Sequence, residues 1–118
     1  MAKSNLIITQ SEGVTVATLR LASLIDGPMI EAVGSELNAI VDDQAVKKLI
    51  VDFRAVGFLS SQMISVLVSL HKKSKSIGGL VVLAGMRPNL KKVFEITKLD
   101  KLLVFAKDEK DAMTKFKW

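Results

Sequence analysis

The adjacent serines Ser60 and Ser61, the lone histidine His71 and the carboxylates Asp42, Asp43 and Asp52 are the side chains whose types and spacing invite a chemical role. A serine nucleophile needs a base within hydrogen-bond reach. His71 follows Ser61 by ten residues, and ten residues of one helix span roughly 15 Å and turn through about 1000°, which separates the two side chains. A serine–histidine pair is therefore ruled out. His71 stands beside Lys72 and Lys73 and is expected on a solvated polar face. With one histidine and no cysteine, neither a transition-metal site nor thiol or disulfide chemistry is expected. No acid and base are positioned for catalysis, so no catalytic residue and no enzyme is expected.

Of the carboxylates, Asp42 and Asp43 fall near the end of a predicted helix, whereas Asp52 falls near the end of a predicted central strand, where ligands of open α/β sheets gather. The plainer role for Asp52 is to accept hydrogen bonds from neighbouring backbone amides. Neither a Walker-type nor a dinucleotide-type glycine loop is present, and no cofactor is expected. Gly78-Gly79 follows a helix, the place of a C-terminal stop. The serine pair is different. One serine at a helix start serves as an N-cap, and the second is surplus to that need. A phosphate there would be held by the free amides and dipole of the helix, and would add up to about two negative charges to the surface.

The elements that position these residues are legible from periodicity. Leu6–Thr9 and Val14–Leu21 are rich in β-branched residues and flank Ser11-Glu12-Gly13, which reads as a hairpin. After Asp26-Gly27-Pro28, the residues Met29, Ile30, Val33, Leu37, Ile40 and Val41 share one helical face. Leu49–Phe53 is a buried-type strand, and Gly57–Ser61 a turn. Met63, Ile64, Val66, Leu67, Leu70 and Ile77 trace a second helix. Leu80–Ala84 is another buried strand. Pro88 opens a third helix with Leu90, Val93, Phe94 and Ile96 inward. Leu102–Phe105 is a last strand, and Asp108–Phe116 a last helix. The order ββαβαβαβα predicts an α/β fold, a mixed β-sheet with parallel crossovers and helices packed against it.

At 118 residues and 49% hydrophobic content, residues 1–118 are expected to form one domain with its own core. No apolar run approaches the length of a membrane span, and no signal peptide is read at the start, so a cytoplasmic address is expected. The net charge is +5, with 5 basic and 7 acidic residues in 1–59 against 12 and 5 in 60–118. Lys72, Lys73, Lys75, Lys91, Lys92, Lys98 and Lys101 lie on or after two predicted helices, but the chain has only six aromatic residues and no tyrosine. Stacking platforms for single strands need exposed aromatics, so the basic surface is read as an aid to docking an acidic partner and not as a nucleic-acid site.

The run from Leu49 to Ser61 (LIVDFRAVGFLSS), the helix after it and Gly78–Ala84 (GGLVVLA) resemble the STAS domain of anti-sigma factor antagonists. Arg87–Asp100 (RPNLKKVFEITKLD) is similar to the family pattern P-x-(V/L)-x-x-(V/L)-(F/L)-x-(L/I)-(T/S)-x-L-(D/E), and the resemblance covers essentially the whole chain. It implies a STAS fold and partner switching. The unphosphorylated antagonist binds an anti-sigma factor that is also a serine kinase, which frees the sigma factor for transcription, and phosphorylation of a serine at the start of the second helix ends the binding. Against the family motif D-S-(S/T/A)-G-(L/V), Ser60 takes the place of the aspartate, Ser61 that of the phosphoacceptor, Gln62 that of the next small residue and Met63 that of the glycine. The resemblance thus implies phosphorylation at Ser61, with Ser60 the lesser candidate, and a partner-binding surface from Ser23, Asp26, Gly57, Phe58, Ser60, Ser61 and Gln62 with the exposed side of the second helix. A monomer or weak dimer is expected, and neither a membrane nor a direct nucleic-acid partner. The resemblance also admits two other readings: a module that binds a small ligand, nucleotide or lipid, through Asp52 and the basic third helix, and a scaffold subunit of a signalling assembly.

Overall fold

The computed structural model describes residues 6–24, 27–42 and 45–116. Strand β1 (Leu6–Ser11) turns back into β2 (Val14–Leu19) through Glu12 and Gly13, both with positive φ, 52° and 79°. That is the backbone of a type I′ turn, whose twist matches the flanking strands. The chain continues through a two-residue strand β3 (Ser23–Leu24), helix α1 (Gly27–Asp42), β4 (Lys48–Asp52), a two-residue β5 (Phe58–Leu59) and α2 (Ser61–Ser76). It closes with β6 (Leu80–Ala84), α3 (Pro88–Ile96), a 3-10 turn at Leu99–Lys101, β7 (Val104–Ala106) and α4 (Glu109–Met113).

Five strands form one sheet in the order β1-β2-β4-β6-β7. The β1·β2 pair is antiparallel, and the three remaining pairs are parallel. This is the mixed sheet expected from the element order. Alternation along the strands separates two cores. Ala17, Leu19, Leu49, Val51, Val81 and Leu83 face α1, α2 and α3, while Val14, Val16, Ile50, Val82 and Ala84 face Ala112 and Phe116. Central strands buried on both faces carry no polar alternation, which is why β4 and β6 read as continuous apolar runs.

Local signals end the elements as the sequence suggests, with corrections. Helix α2 stops in a Schellman turn, in which Gly78 with φ of 75° donates to the Lys75 carbonyl and Gly79 to that of Ser74. In α3, Leu90 and Phe94 are buried but Val93 is 41% and Ile96 72% exposed. The inward stripe of this short helix is Leu90 and Phe94 alone, since Ile96 lies about 200° around the helix from Phe94. The predicted turn at 57–61 contains β5. The last strand begins at Val104, two residues later than predicted, because the 3-10 turn occupies Leu99–Lys101. The last helix is capped by Asp108, whose carboxylate accepts from the Asp111 amide at 2.8 Å, and tightens to a 3-10 turn at Thr114.

Candidate functional site

The Ser60–Ser61 pair sits where a central crossover meets a helix. After Phe53 the chain leaves the sheet, and the Gly57 and Phe58 amides both donate to the Ala22 carbonyl, at 2.7 and 3.2 Å. Strands β3 and β5 then pair in parallel, Ser23 against Phe58 and Leu24 against Leu59. This small sheet joins two loops that are more than 30 residues apart in the chain. It brings Ser23, Gly57, Phe58, Ser60, Ser61 and Gln62 to one end of the molecule, while Asp26 lies outside the described residues.

Helices α1 and α2 bring their N-termini to the same end. They approach closely at Gly34, where an added Cβ would stand 3.3 Å from a Val66 methyl, and at Gly27, where it would stand 3.8 Å from the Gln62 side-chain oxygen. The exposed ends of these helices are tied by Lys73 and Asp42, 2.7 Å apart.

The two serines have different jobs. Ser60 is the N-cap, with extended backbone, and its hydroxyl accepts from the Met63 amide at 3.4 Å. Ser61 is the first helical residue. It is exposed, and its hydroxyl makes no hydrogen bond to any described residue. Only its carbonyl is used, accepting from the Ser65 hydroxyl at 3.3 Å. No acidic residue occupies the first turn of α2, so no carboxylate of that turn neutralises the positive end of the helix dipole at Ser61. Met63, in the place of the family glycine, is fully buried and anchors the helix start in the core. Phe58 is 67% exposed beside the serines, an apolar side chain without a cover. Ser60→Ala is expected to cost roughly 0.5–1 kcal/mol, given the long cap bond, and Ser61→Ala close to nothing; urea unfolding of the two variants checks the contrast.

One neighbour had no role in the sequence reading. Arg87 precedes α3, and its guanidinium lies 3.3 Å from where a Gly57 Cβ would be, so a cation packs on the loop that leads to the serines. Its only sequence signal is its place before Pro88.

Asp52 takes the plainer of its two roles. It is 1% exposed, and its carboxylate accepts from the Arg54 amide at 2.9 Å and from the Arg54 guanidinium at 3.1 Å. It is thereby occupied by its own loop. The basic third helix lines a separate cleft of about 620 Å³ with Met86, Phe105, Lys107 and Asp111, where the Lys91 ammonium stands 5.6 Å from the Phe105 ring centroid. Among the described residues, no three of His, Cys, Asp and Glu gather as a metal site, and no helix is long and apolar enough to cross a membrane.

His71 is a correction. It is 4% exposed and not on a solvated face. With Leu67, Leu70 and Ser74 it forms the inward stripe of α2, at a spacing of three and four that outranks the polarity of its neighbours. Its Nδ1 has no hydrogen-bond partner among the described residues, and burial, with a smaller effect from Lys75, holds its pKa below the ordinary 6.5. The unfolded chain therefore takes up a proton first as pH falls. The stability that neutral His71 contributes is complete above about pH 6.5 and lost as pH falls through the lower folded value. Equilibrium unfolding should show a stability loss below about pH 6.5 that is shallower in His71→Leu.

The sequence profile of the STAS domain matches residues 5–112, and the chain belongs to the STAS domain family. A protein of Bordetella bronchiseptica named as the anti-sigma factor antagonist BtrV is 24% identical over 112 residues, covering 95% of this chain and 94% of its own. An anti-sigma factor antagonist domain protein of Planctomyces limnophilus superposes with a TM-score of 0.82 at 21% identity over 97% of this chain and 98% of that one. SpoIIAA, a cell-fate determinant of Bacillus solved in its phosphorylated form, superposes with a TM-score of 0.70 at 19% identity over 93% and 97%. These likenesses establish the shared fold.

Proposed function

We propose that this chain, acting as a single domain, is an anti-sigma factor antagonist of the cytoplasm that binds an anti-sigma factor with serine kinase activity and is released by phosphorylation at Ser61. The observation that carries this reading is the division of labour between the serines. Ser60 already caps α2, so the exposed Ser61 hydroxyl has no structural task. In the transfer, Ser61 Oγ attacks the γ-phosphoryl group of ATP held by the kinase, its proton passes to a base of the kinase, and ADP leaves. The phosphate then stands at the N-terminus of α2, whose first turn carries no carboxylate and which accommodates it without unfolding the domain.

The partner surface in this reading is the end formed by Ser23, Gly57, Phe58, Ser60, Ser61 and Gln62, with Asp26 beside it in sequence and the outer side of α2 below it. Phe58 supplies the apolar anchor that such interfaces centre on. Mass spectrometry after incubation with the anti-sigma kinase co-purified from the native cell tests the proposal. A single phosphate on the wild type and none on Ser61→Ala is the expected result; phosphate on the alanine variant, or none on the wild type, defeats it.

A second reading, a small-ligand module, is favoured only by the cleft beside α3, which opens near the carboxyl ends of β6 and β7. A nucleotide bound there at about 100 times its dissociation constant would add about 2.7 kcal/mol of stability, visible as a thermal shift. A scaffold role is the remaining alternative. It would show as a pull-down that recovers other STAS proteins and no kinase.

A further inference from the structure

Strand β1 forms one border of the five-stranded sheet. Its sequence, LIITQS, contains no charge and no proline, its register with β2 runs unbroken from Leu6↔Leu19 to Ser11↔Val14, and no residue within it has positive φ. Natural sheets guard such borders with lysine, proline or bulges to stop other strands from adding. Here all three guards are missing along six residues.

The hydrogen-bonding direction of this border follows from the hairpin. Ser11 and Val14 flank the two-residue turn and form its first hydrogen-bonded pair, and alternation makes Thr9↔Val16 and Ile7↔Thr18 the next ones. The N–H and C=O groups of Ile8 and Gln10 therefore point away from β2. Ile7 and Ile8 alternate to opposite faces of the sheet, and each is 45% exposed. A further strand would satisfy the backbone of Ile8 and cover both isoleucines.

We propose that a second copy of this chain occupies the border, β1 pairing with β1 antiparallel about a two-fold axis through Ile8 to make a continuous ten-stranded sheet. This pairing sets Ile8 against its own copy and Ile7 against Thr9, all β-branched cross-strand neighbours without a charge among them. Charge distribution favours this border over the other. The +7 excess lies in residues 60–118, and Lys91, Lys92 and Lys107 line the cleft beside β7, three strands beyond β2. Joining at β1 holds the two basic ends at opposite extremes of the assembly, whereas joining at β7 would bring them together. Pairing of six-residue strands buries less than the 1,200 Å² or so of stable complexes, so the dimer is weak and concentration-dependent. The pairing itself uses none of the residues grouped with Ser61 and does not depend on phosphorylation.

Sedimentation equilibrium from about 10 µM to about 1 mM tests it, a range that brackets dissociation constants of weak complexes. The wild-type mass should rise from 12.9 kDa toward twice that value. Ile8→Pro removes an N–H that faces solvent in the monomer, a substitution border strands tolerate. Ile8→Lys keeps the N–H and sets two ammonium groups across the axis. Each should lower the association constant at least about tenfold with an unchanged circular dichroism spectrum, and if the proline variant unfolds the lysine variant decides. A wild type that stays at 12.9 kDa throughout, or a folded variant that associates as the wild type does, overturns the proposal.

Discussion

Ser61→Asp is expected to weaken the complex with the anti-sigma factor about 100-fold, or roughly 2.8 kcal/mol, while leaving the fold as stable as the wild type or slightly more so. The two halves of this result have separate causes. An aspartate at the first position of α2 meets the positive end of the helix dipole, worth about 0.3–1 kcal/mol to folding at an exposed site. No carboxylate competes with it in the first turn. Against a partner that covers Phe58 and the serines, the same carboxylate is stripped of water, and a desolvated charge at an interface is costly. Titration calorimetry for binding and thermal melting for stability separate the two. Binding equal to that of the wild type would remove Ser61 from the interface, and loss of binding with loss of fold would leave no evidence for a charge effect.

Gly79→Ala is expected to destabilise the domain by about 2–4 kcal/mol, a melting temperature lower by about 8–16 °C. The cost is steric and not conformational, since Gly79 is absent from the positive-φ residues. An added Cβ would stand 2.7 Å from Ser74 Oγ, 2.8 Å from the Lys47 carbonyl oxygen and 3.0 Å from Lys47 Cα. Ser74 is fully buried. The Lys47 carbonyl accepts from the Leu80 amide at 2.7 Å, so moving it disturbs the start of the β4·β6 ladder. A second substitution apportions the two clashes. Ser74→Ala removes a buried hydroxyl that has no hydrogen-bond partner among the described residues, which by itself is near neutral or stabilising. In that background Gly79→Ala should cost less than in the wild type but more than zero, because the backbone clash with Lys47 remains. Additive double-mutant energies would place the cost elsewhere.

Local chemistry was sufficient for much of this protein. The hairpin followed from a glycine between two β-branched runs, α2 from apolar spacing with a serine before it and two glycines after it, and β4 and β6 from apolar runs too short for helices. These signals act within a turn or two of chain, where the sequence alone decides hydrogen bonding and side-chain direction. The serine pair at the start of α2 was legible for the same reason, because a cap and the first helical residue are defined by the helix they begin. The resemblance to the family was legible as well, since it rests on ordered residues along the chain.

Other features waited for the tertiary structure. Strands β3 and β5 have two residues each and no periodicity to read; they exist because the Ala22 carbonyl meets the Gly57 and Phe58 amides. That contact joins Ser23 to the serine loop. His71 is misplaced by its lysine neighbours, although its place four residues after Leu67 already points inward; burial is set by what α2 packs on, and polarity of adjacent residues says little about a helix that turns 100° per residue. Val93 and Ile96 failed in the opposite direction, apolar yet exposed, since a nine-residue helix with a two-residue inner stripe has no core left for them. The packing of Arg87 on Gly57 joins residues thirty apart. Sequence thus determined the helices, the strands of the main sheet and the chemically available serine, through forces that act along the chain. Which loops gather around that serine, and which polar groups are buried, only the three-dimensional packing decided, because those contacts join residues that no local pattern connects.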